Sequence, residues 1–229
     1  MTSPLTEETI RRLRSFDSPT ISNAIETLNV RDRTEGYASM ELRCMIPDLE
    51  PMVGYAVTCT ADSSSPGGEP KPNKLSDLLD AIQSAPKPVV VVVRKCGPDG
   101  LRDCFTGDMI SVVYRNLGAV GVVTDAGIRD LTGIRRRAPG FQVFAFGTVV
   151  SHGTSTIIEV GMPVSIAGLP IAPGDLLHGD ESGLVKVPLA SAEAVLEKAR
   201  LVRETEQEWF DFANSSDFTL EGVKQRIPH

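Results

Sequence analysis

Histidine and cysteine, the residues most used for metal and nucleophilic centres, are scarce in this sequence. There are three histidines, His152, His178 and His229, and no HxxH or HxxxH pair. A two-histidine zinc site on one helix is therefore excluded. The four cysteines, Cys44, Cys59, Cys96 and Cys104, include no CxxC pair. Neither a zinc ribbon nor a thioredoxin-like redox motif is supported. A GxSxG elbow and a P-loop are absent, and Gly118-Ala119-Val120-Gly121 is not a dinucleotide fingerprint. No apolar run approaches a membrane span. The first residues, MTSPLTEETIRRLRSF, contain no apolar signal-peptide region. Positive charge is in deficit: 23 Lys and Arg face 30 Asp and Glu, for a net charge of −7. Nucleic-acid binding needs a basic face, so it is not expected. Arg135-Arg136-Arg137, the only dense basic cluster, reads as a solvated face or a subunit contact. The expectation is a cytoplasmic protein with reduced thiols and no membrane contact.

The chain has 229 residues, 41% hydrophobic and 23% charged, enough to build a sizeable core as one large domain or two small ones. The stretch that organises the rest is Thr106 to Asp130. Thr106-Gly107-Asp108 opens a helix whose apolar face reads as Met109, Ile110, Val113 and Leu117. Gly118 stops it, because glycine takes positive φ without steric penalty. Ala119 to Val123 is an apolar, β-branched run short enough for a buried strand. That strand delivers Thr124, Asp125, Gly127, Arg129 and Asp130 just past its carboxyl end. Open α/β sheets place ligand sites there.

The remaining elements follow from local signals. Thr6 to Phe16 reads as an amphipathic helix, and Ile21 to Leu28 as a second one capped by Ser18 or Thr20. An extended segment is expected around Leu42–Ile46 and a strand over Gly54–Thr60. Ser63 to Asn73, with three prolines and two glycines, reads as a surface or active-site loop. Leu75 to Ser84 is a helix, and Val89 to Val93 a strand buried on both faces. Leu131 to Arg137 is a short helix; Gln142 to Phe146 and Val164 to Ala167 are strands. Leu169 to Asp175 reads as a turn. Leu176 to Gly179 and Leu184 to Val187 form a hairpin around Asp180-Glu181-Ser182-Gly183. Ser191 caps a last long helix with the stripe Ala192, Val195, Leu196, Ala199 and Val202. The tail from Asn214 is polar and expected to be loosely held.

Two constellations carry possible chemistry. At Gly107-Asp108-Met109-Ile110, glycine allows close approach and the first helical N–H groups have no intrahelical partner. A carboxylate could accept from them, or Asp108 could simply complement the helix dipole. At Arg129-Asp130, arginine offers a fork that matches a carboxylate or 2-oxo acid, and aspartate is a hard ligand for a divalent cation. A solvated ion pair is the plain alternative. His152, in a polar loop, could bind substrate or merely face solvent. Any metal would be held by carboxylates and water, which suggests Mg²⁺ or Mn²⁺.

These residues resemble the RraA-like family, which includes 4-hydroxy-4-methyl-2-oxoglutarate aldolases that often also decarboxylate oxaloacetate. The likeness rests on Gly107-Asp108, on Gly118 through Asp130 with its DxGxRD pattern, on Ile171-Ala172-Pro173-Gly174-Asp175, and on Asp180 through Pro188. It runs from about Ser18 to about Glu206, within one domain spanning 1–229. The resemblance implies an α/β swivelling β/β/α fold in trimers or hexamers, with sites between subunits. It implies that Asp130 binds Mg²⁺ or Mn²⁺, directly or through water. Arg129 would hold the pyruvoyl oxygen and stabilise an enolate. Asp108 would orient a metal-held water for proton transfer. The N–H groups of Met109 and Ile110, beside Gly107, would hold the pyruvate carboxylate. A glutamate from a neighbouring subunit, assigned to Glu206, would complete the site.

The departures cluster near the expected substrate entrance. Arg94-Lys95-Cys96-Gly97 stands where the family often has Asp-Gly-Gly. Pro72-Asn73 replaces Asp-Asn, and Asn23 replaces an early Asp. The ribonuclease-E regulator branch lacks the metal aspartate, whereas Asp130 is present here. The expected activity is therefore a divalent-metal-dependent lyase acting on a small 2-oxo acid. Two alternatives remain: a Schiff-base aldolase using Lys95 or Lys186, and a non-catalytic regulator that binds a protein partner.

Overall fold

In the computed structural model, which describes residues 4–67 and 72–226, the chain alternates helices and strands through most of its length. The first third comprises α1 (Glu7–Arg14), α2 (Ser18–Thr27), β1 (Arg43–Cys44), β2 (Met52–Asp62) and α3 (Leu75–Ser84). Then come β3 (Val89–Lys95), β4 (Cys104–Thr106), α4 (Asp108–Asn116), β5 (Ala119–Thr124), β6 (Gly127–Ile128) and α5 (Leu131–Arg137). Seven strands follow, β7 (Gln142–Ala145), β8 (Gly147–Thr148), β9 (Thr156–Val160), β10 (Val164–Ile166), β11 (Leu169–Ile171), β12 (Leu176–Asp180) and β13 (Gly183–Val187); α6 (Ala192–Ala213) closes the body, and α7 (Leu220–Arg226) comes last among the described residues.

The main sheet has eight strands in the order β1-β7-β5-β3-β2-β12-β13, with β9 also paired to β2. β2, β3, β5 and β7 are parallel neighbours; the flanking pairings are antiparallel. β2 holds the sheet together because it is long enough to serve three partners. Its first residues pair with β12, its last with β9, and its other edge runs along β3.

Alternation along the strands separates an outer and an inner face. On the outer face, Val57, Cys59, Val91, Val122 and Val143 pack under Leu78, Ile82, Tyr114 and Ile134 from α3, α4 and α5. Farther along that face, Val53, Tyr55, Leu176 and Val185 lie under α1, α2 and α6. On the inner face, Ala56, Val90, Val92, Val123, Phe144, Leu177 and Leu184 pack together and against Ile166, Leu169 and Ile171 of the β10–β11 hairpin. All helices thus lie outside a curled sheet whose hollow is filled by a hairpin. This is the expected α/β architecture, and the valine strand is buried on both faces as its sequence required.

Several local expectations need correction. Asp17, not Ser18 or Thr20, caps α2, accepting from the Thr20 N–H at 2.8 Å. The buried face of α4 is not the Met109–Val113 face. Met109 is 82% exposed and Val113 40%, while Ser111 and Tyr114 point inward. The Tyr114 ring is the largest apolar body on the helix, and burying it turns Met109 outward. Leu169-Pro170-Ile171, read as part of a turn, is a strand paired with β10. The tail forms the short helix α7, none of whose residues is buried; it meets the end of α6 through Phe218, tilted against Phe212, and through Arg226, whose guanidinium lies 3.9 Å from the Phe212 ring centre. The Ser63–Asn73 segment is a loop where described; 68–71 lie outside the described residues.

One buried polar clasp joins the N-terminal helices to the sheet. His178 on β12 is fully buried, with Nδ1 2.9 Å from Ser18 Oγ and Nε2 3.2 and 3.1 Å from the carbonyl oxygens of Leu13 and Phe16. Two carbonyls around Nε2 require its proton there, so Nδ1 accepts from the Ser18 hydroxyl. Asp180 accepts from the Ser18 N–H at 2.6 Å. Burial lowers the His178 pKa, and the nearby carbonyls and Asp180 only partly oppose it. A histidine whose folded pKa is depressed gives stability that is present above its unfolded pKa, about 6.5, and lost as pH falls below it. The melting temperature should drop between pH 8 and pH 5.5, and His178→Gln, which cannot take up the proton, should flatten that slope. Parallel melting curves for the two proteins would contradict the assignment.

Candidate active site

Two chain crossings meet at the carboxyl ends of β4 and β6. These strands run parallel, with the Arg129 N–H donating to Thr106 O at 3.0 Å. Gly107 follows β4 as the N-cap of α4, and Asp130 follows β6 as the N-cap of α5. A Cβ on Gly107 would lie 2.9 Å from Asp130 Oδ2 and 3.3 Å from Arg129 Cγ and Nε. The φ at Gly107 is −137°, so the glycine serves close approach to these two side chains and not backbone conformation. Gly118 closes α4 with a φ of +92°, as its sequence position suggested.

Asp130 adopts a left-handed backbone, φ 58° and ψ 33°, and its side chain makes no capping bond. Such conformations in non-glycine residues are unfavourable and concentrate at functional sites. Its carboxylate instead lies 3.1 Å from Arg129 Nε, with both side chains part-exposed. The Ser111 N–H is the first in α4 to close on the helix, onto Gly107 O at 3.2 Å. The N–H groups before it have no acceptor within the helix. Asp108 does not cap α4. Its carboxylate is ion-paired with Arg137 of α5 and lies over Gly133. This gives one member of the basic cluster a partner; Arg135 pairs with Asp48.

These groups line a pocket of about 540 Å³. Gly107, Asp108, Met109, Ile110, Arg129 and Asp130 form one wall, together with Cys104, Phe105 and Thr106. Asn73, Leu75, the His152–Ser155 loop and Ile157 form the other. Six of the seven expected site residues are thus brought together by folding. Glu206 is not among them: it lies in a separate groove between α2 and α6, beside Asn23, Glu26 and Lys198. His152 reaches the pocket, its Nδ1 3.0 Å from the Gly153 carbonyl oxygen. Asn73 Oδ1 accepts from the N–H groups of Leu75 and Ile157, both at 3.1 Å, and so ties the two sides of that wall. Burial raises the Cys104 thiol and the Tyr114 phenol, which are therefore neutral lining groups. Asn73, placed near the substrate entrance from the sequence, does line the pocket, whereas Cys104, Tyr114 and Ser155 were missed because no spacing rule links them to the Arg129-Asp130 turn.

The segment that departs from the family pattern is used structurally. Arg94 pairs with the buried Asp125, whose second oxygen accepts from the Lys95 N–H at 2.8 Å. Burial raises the Asp125 pKa against the lowering effect of these partners. The Lys95 ammonium contacts Gly100 O at 3.2 Å and lies 5.2 Å from the Phe146 ring centre. Lys186 is paired with Asp175 at 3.1 Å. Neither lysine lines the pocket that holds Arg129. Among the described residues, no group of three or more His, Cys, Asp or Glu side chains could hold a metal. Asp130 and Asp108 do supply hard oxygen donors on the pocket wall. That donor chemistry fits Mg²⁺ or Mn²⁺ retaining most of its waters.

Comparison with known proteins gives a consistent family assignment. The sequence profile of the family described as RraA-like, Aldolase/RraA, matches residues 18–186. A protein of Halalkalibacterium halodurans, provisionally named as a 4-hydroxy-4-methyl-2-oxoglutarate aldolase, is 33% identical over 132 residues. The match covers 56% of this chain and 59% of that relative, less than two thirds of its length. A crystal structure of an uncharacterised Pseudomonas syringae protein superposes with a TM-score of 0.74, covering 99% of this chain and 97% of the other at 23% identity. Streptomyces coelicolor RraAS2, described as an unusual member of the RNase ES inhibitor RraA family, gives a TM-score of 0.68 at 25% identity, covering 92% of this chain and 98% of the other.

Proposed function

We propose that this chain, which belongs to the RraA-like family, is a lyase that cleaves a small 2-oxo acid through the enolate of pyruvate. The observation that carries this reading is the contact of the Arg129-Asp130 turn with Gly107 at the start of α4, inside one pocket. The substrate carboxylate accepts from the N–H groups of Met109 and Ile110 and gains from the positive end of the helix dipole. Arg129 presents its guanidinium to the 2-oxo oxygen, where negative charge grows as the C–C bond breaks. Mg²⁺ or Mn²⁺, held by Asp130, supplies Lewis-acid stabilisation of the same charge when bound. Asp108, fixed by Arg137, orients a water that carries a proton to or from the reacting carbon.

Retro-aldol cleavage of 4-hydroxy-4-methyl-2-oxoglutarate and decarboxylation of oxaloacetate both leave the pyruvate enolate, so one site serves both reactions. Lys95 and Lys186 lie outside this pocket and are engaged elsewhere, which disfavours a Schiff-base route. A second reading, a regulator that binds a protein partner, draws on the similarity to Streptomyces coelicolor RraAS2, a member of an RNase ES inhibitor family. The Arg129-Asp130 pair facing an open pocket favours the lyase. In this reading the protein assembles as a trimer or a multiple of one, and Glu206 reaches the site from a neighbouring subunit. The exposed apolar side chains of Met109 and Val113, at the pocket wall and one turn beyond it, suit such a contact.

Three outcomes are expected. Turnover of oxaloacetate or 4-hydroxy-4-methyl-2-oxoglutarate should vanish on chelation and return with Mg²⁺ or Mn²⁺; full activity after exhaustive chelation would exclude the metal-dependent reaction. Arg129→Lys should fold normally yet lose roughly a hundredfold or more in kcat, by analogy with deleting one oxyanion-hole donor. It keeps the charge but removes the planar fork, so an unchanged kcat would mean Arg129 does not meet the developing charge. Light scattering at working concentration should give the mass of three chains or a multiple; a monomer would remove the role given to Glu206.

A further inference from the structure

Thr106 occupies a place in this pocket that the fold alone does not explain. It is 1% exposed, and its Oγ1 has no hydrogen-bond partner among the described residues. A buried hydroxyl left unpaired is unfavourable, and valine would fill almost the same volume without that penalty. The backbone around it is already engaged: its carbonyl accepts from the Arg129 N–H at 3.0 Å, and Ser111 Oγ bonds Gly107 O at 2.8 Å. Nothing in β4, β6 or α4 uses the side-chain hydroxyl. Thr106 lines the pocket directly before Gly107, next to the helix start whose N–H groups lack acceptors. Such orphaned polar atoms in an otherwise satisfied site point to a ligand as the missing partner.

We propose that the Thr106 hydroxyl is a substrate-binding group that donates to the carboxylate of the bound 2-oxo acid, sharing it with the N–H groups of Met109 and Ile110. The identity of that ligand rests on the lyase reading above; the orphaned hydroxyl does not. The carboxylate keeps its charge throughout C–C cleavage, so its contact with Thr106 is equally strong in the ground and transition states. Losing it weakens binding and leaves the chemical step intact, the opposite of the loss expected at Arg129.

The test compares wild type, Thr106→Val and Thr106→Ser for pyruvate binding by calorimetry with Mg²⁺ present, for kcat and KM with oxaloacetate, and for melting temperature without ligand. Thr106→Val should melt no lower than wild type, bind pyruvate about tenfold or more weakly, and raise KM by a similar factor with kcat nearly unchanged. Thr106→Ser should recover most of the affinity. If Thr106→Val binds pyruvate like wild type, an internal water satisfies the hydroxyl and the proposal is wrong. A Thr106→Val protein that melts several degrees lower also overturns it, because the hydroxyl then has a structural partner. Wild type that neither binds pyruvate nor turns over any 2-oxo acid would defeat the lyase reading itself, and the ligand assigned here with it.

Discussion

The site depends on one steric constraint. Between β4 and α4 the backbone passes close to the Arg129 and Asp130 side chains, so that a side-chain carbon at Gly107 would crowd the Asp130 carboxylate and displace it. The short parallel pairing of β4 with β6 enforces that approach, and the left-handed backbone of Asp130 turns the chain into α5 immediately afterwards. A helix start with unpaired N–H groups, a guanidinium and two carboxylates are thereby gathered within a few residues of two strand ends. Each feature is ordinary alone. Together they suit the small anionic substrate of the proposed reaction, whose carbonyl oxygen would gain charge.

The rest of the molecule fixes the relative position of those two strand ends. β5 lies between β3 and β7 with valines on both faces, so its register cannot slip without exposing one set of them. α4 and α5, which begin at the site, pack on the outer face through Tyr114 and Ile134. The Arg137–Asp108 pair links the two helices beside the pocket. On the far side, the buried His178–Ser18–Asp180 cluster anchors α1 and α2 to the β12–β13 hairpin. None of these residues lines the pocket that holds Arg129, which separates stability there from the chemistry proposed at Arg129.

Much of this was legible in the sequence because it is local. The valine strand, the helix at Leu75–Ser84, the Gly118 stop and the hairpin at Asp180–Gly183 each follow from patterning or turn chemistry. The Gly107–Ile110 and Arg129-Asp130 elements were also recognisable, since close backbone approach and a charged turn after a buried strand leave a sequence trace. What was hidden is non-local. The face that α4 buries was misjudged because a single tyrosine outweighed a methionine and a valine. The second pocket wall comes from Asn73 and the stretch around His152 and Ile157, far apart in the chain, joined by Asn73 hydrogen bonds that no periodicity announces. β9 and β11 were missed because they are short and their burial depends on β2 and β10.

The central claim is that the start of α4 and the Arg129-Asp130 turn together receive a pyruvate-like ligand. Oxalate carries the charge and planarity of the pyruvate enolate, so a crystal structure of the protein grown with Mg²⁺ and oxalate tests that claim directly. The account predicts oxalate in the pocket, one carboxylate on the Met109 and Ile110 N–H groups and the other facing Arg129, with the metal at Asp130. Oxalate bound away from α4, or a pocket left empty at saturating oxalate and Mg²⁺, would contradict it.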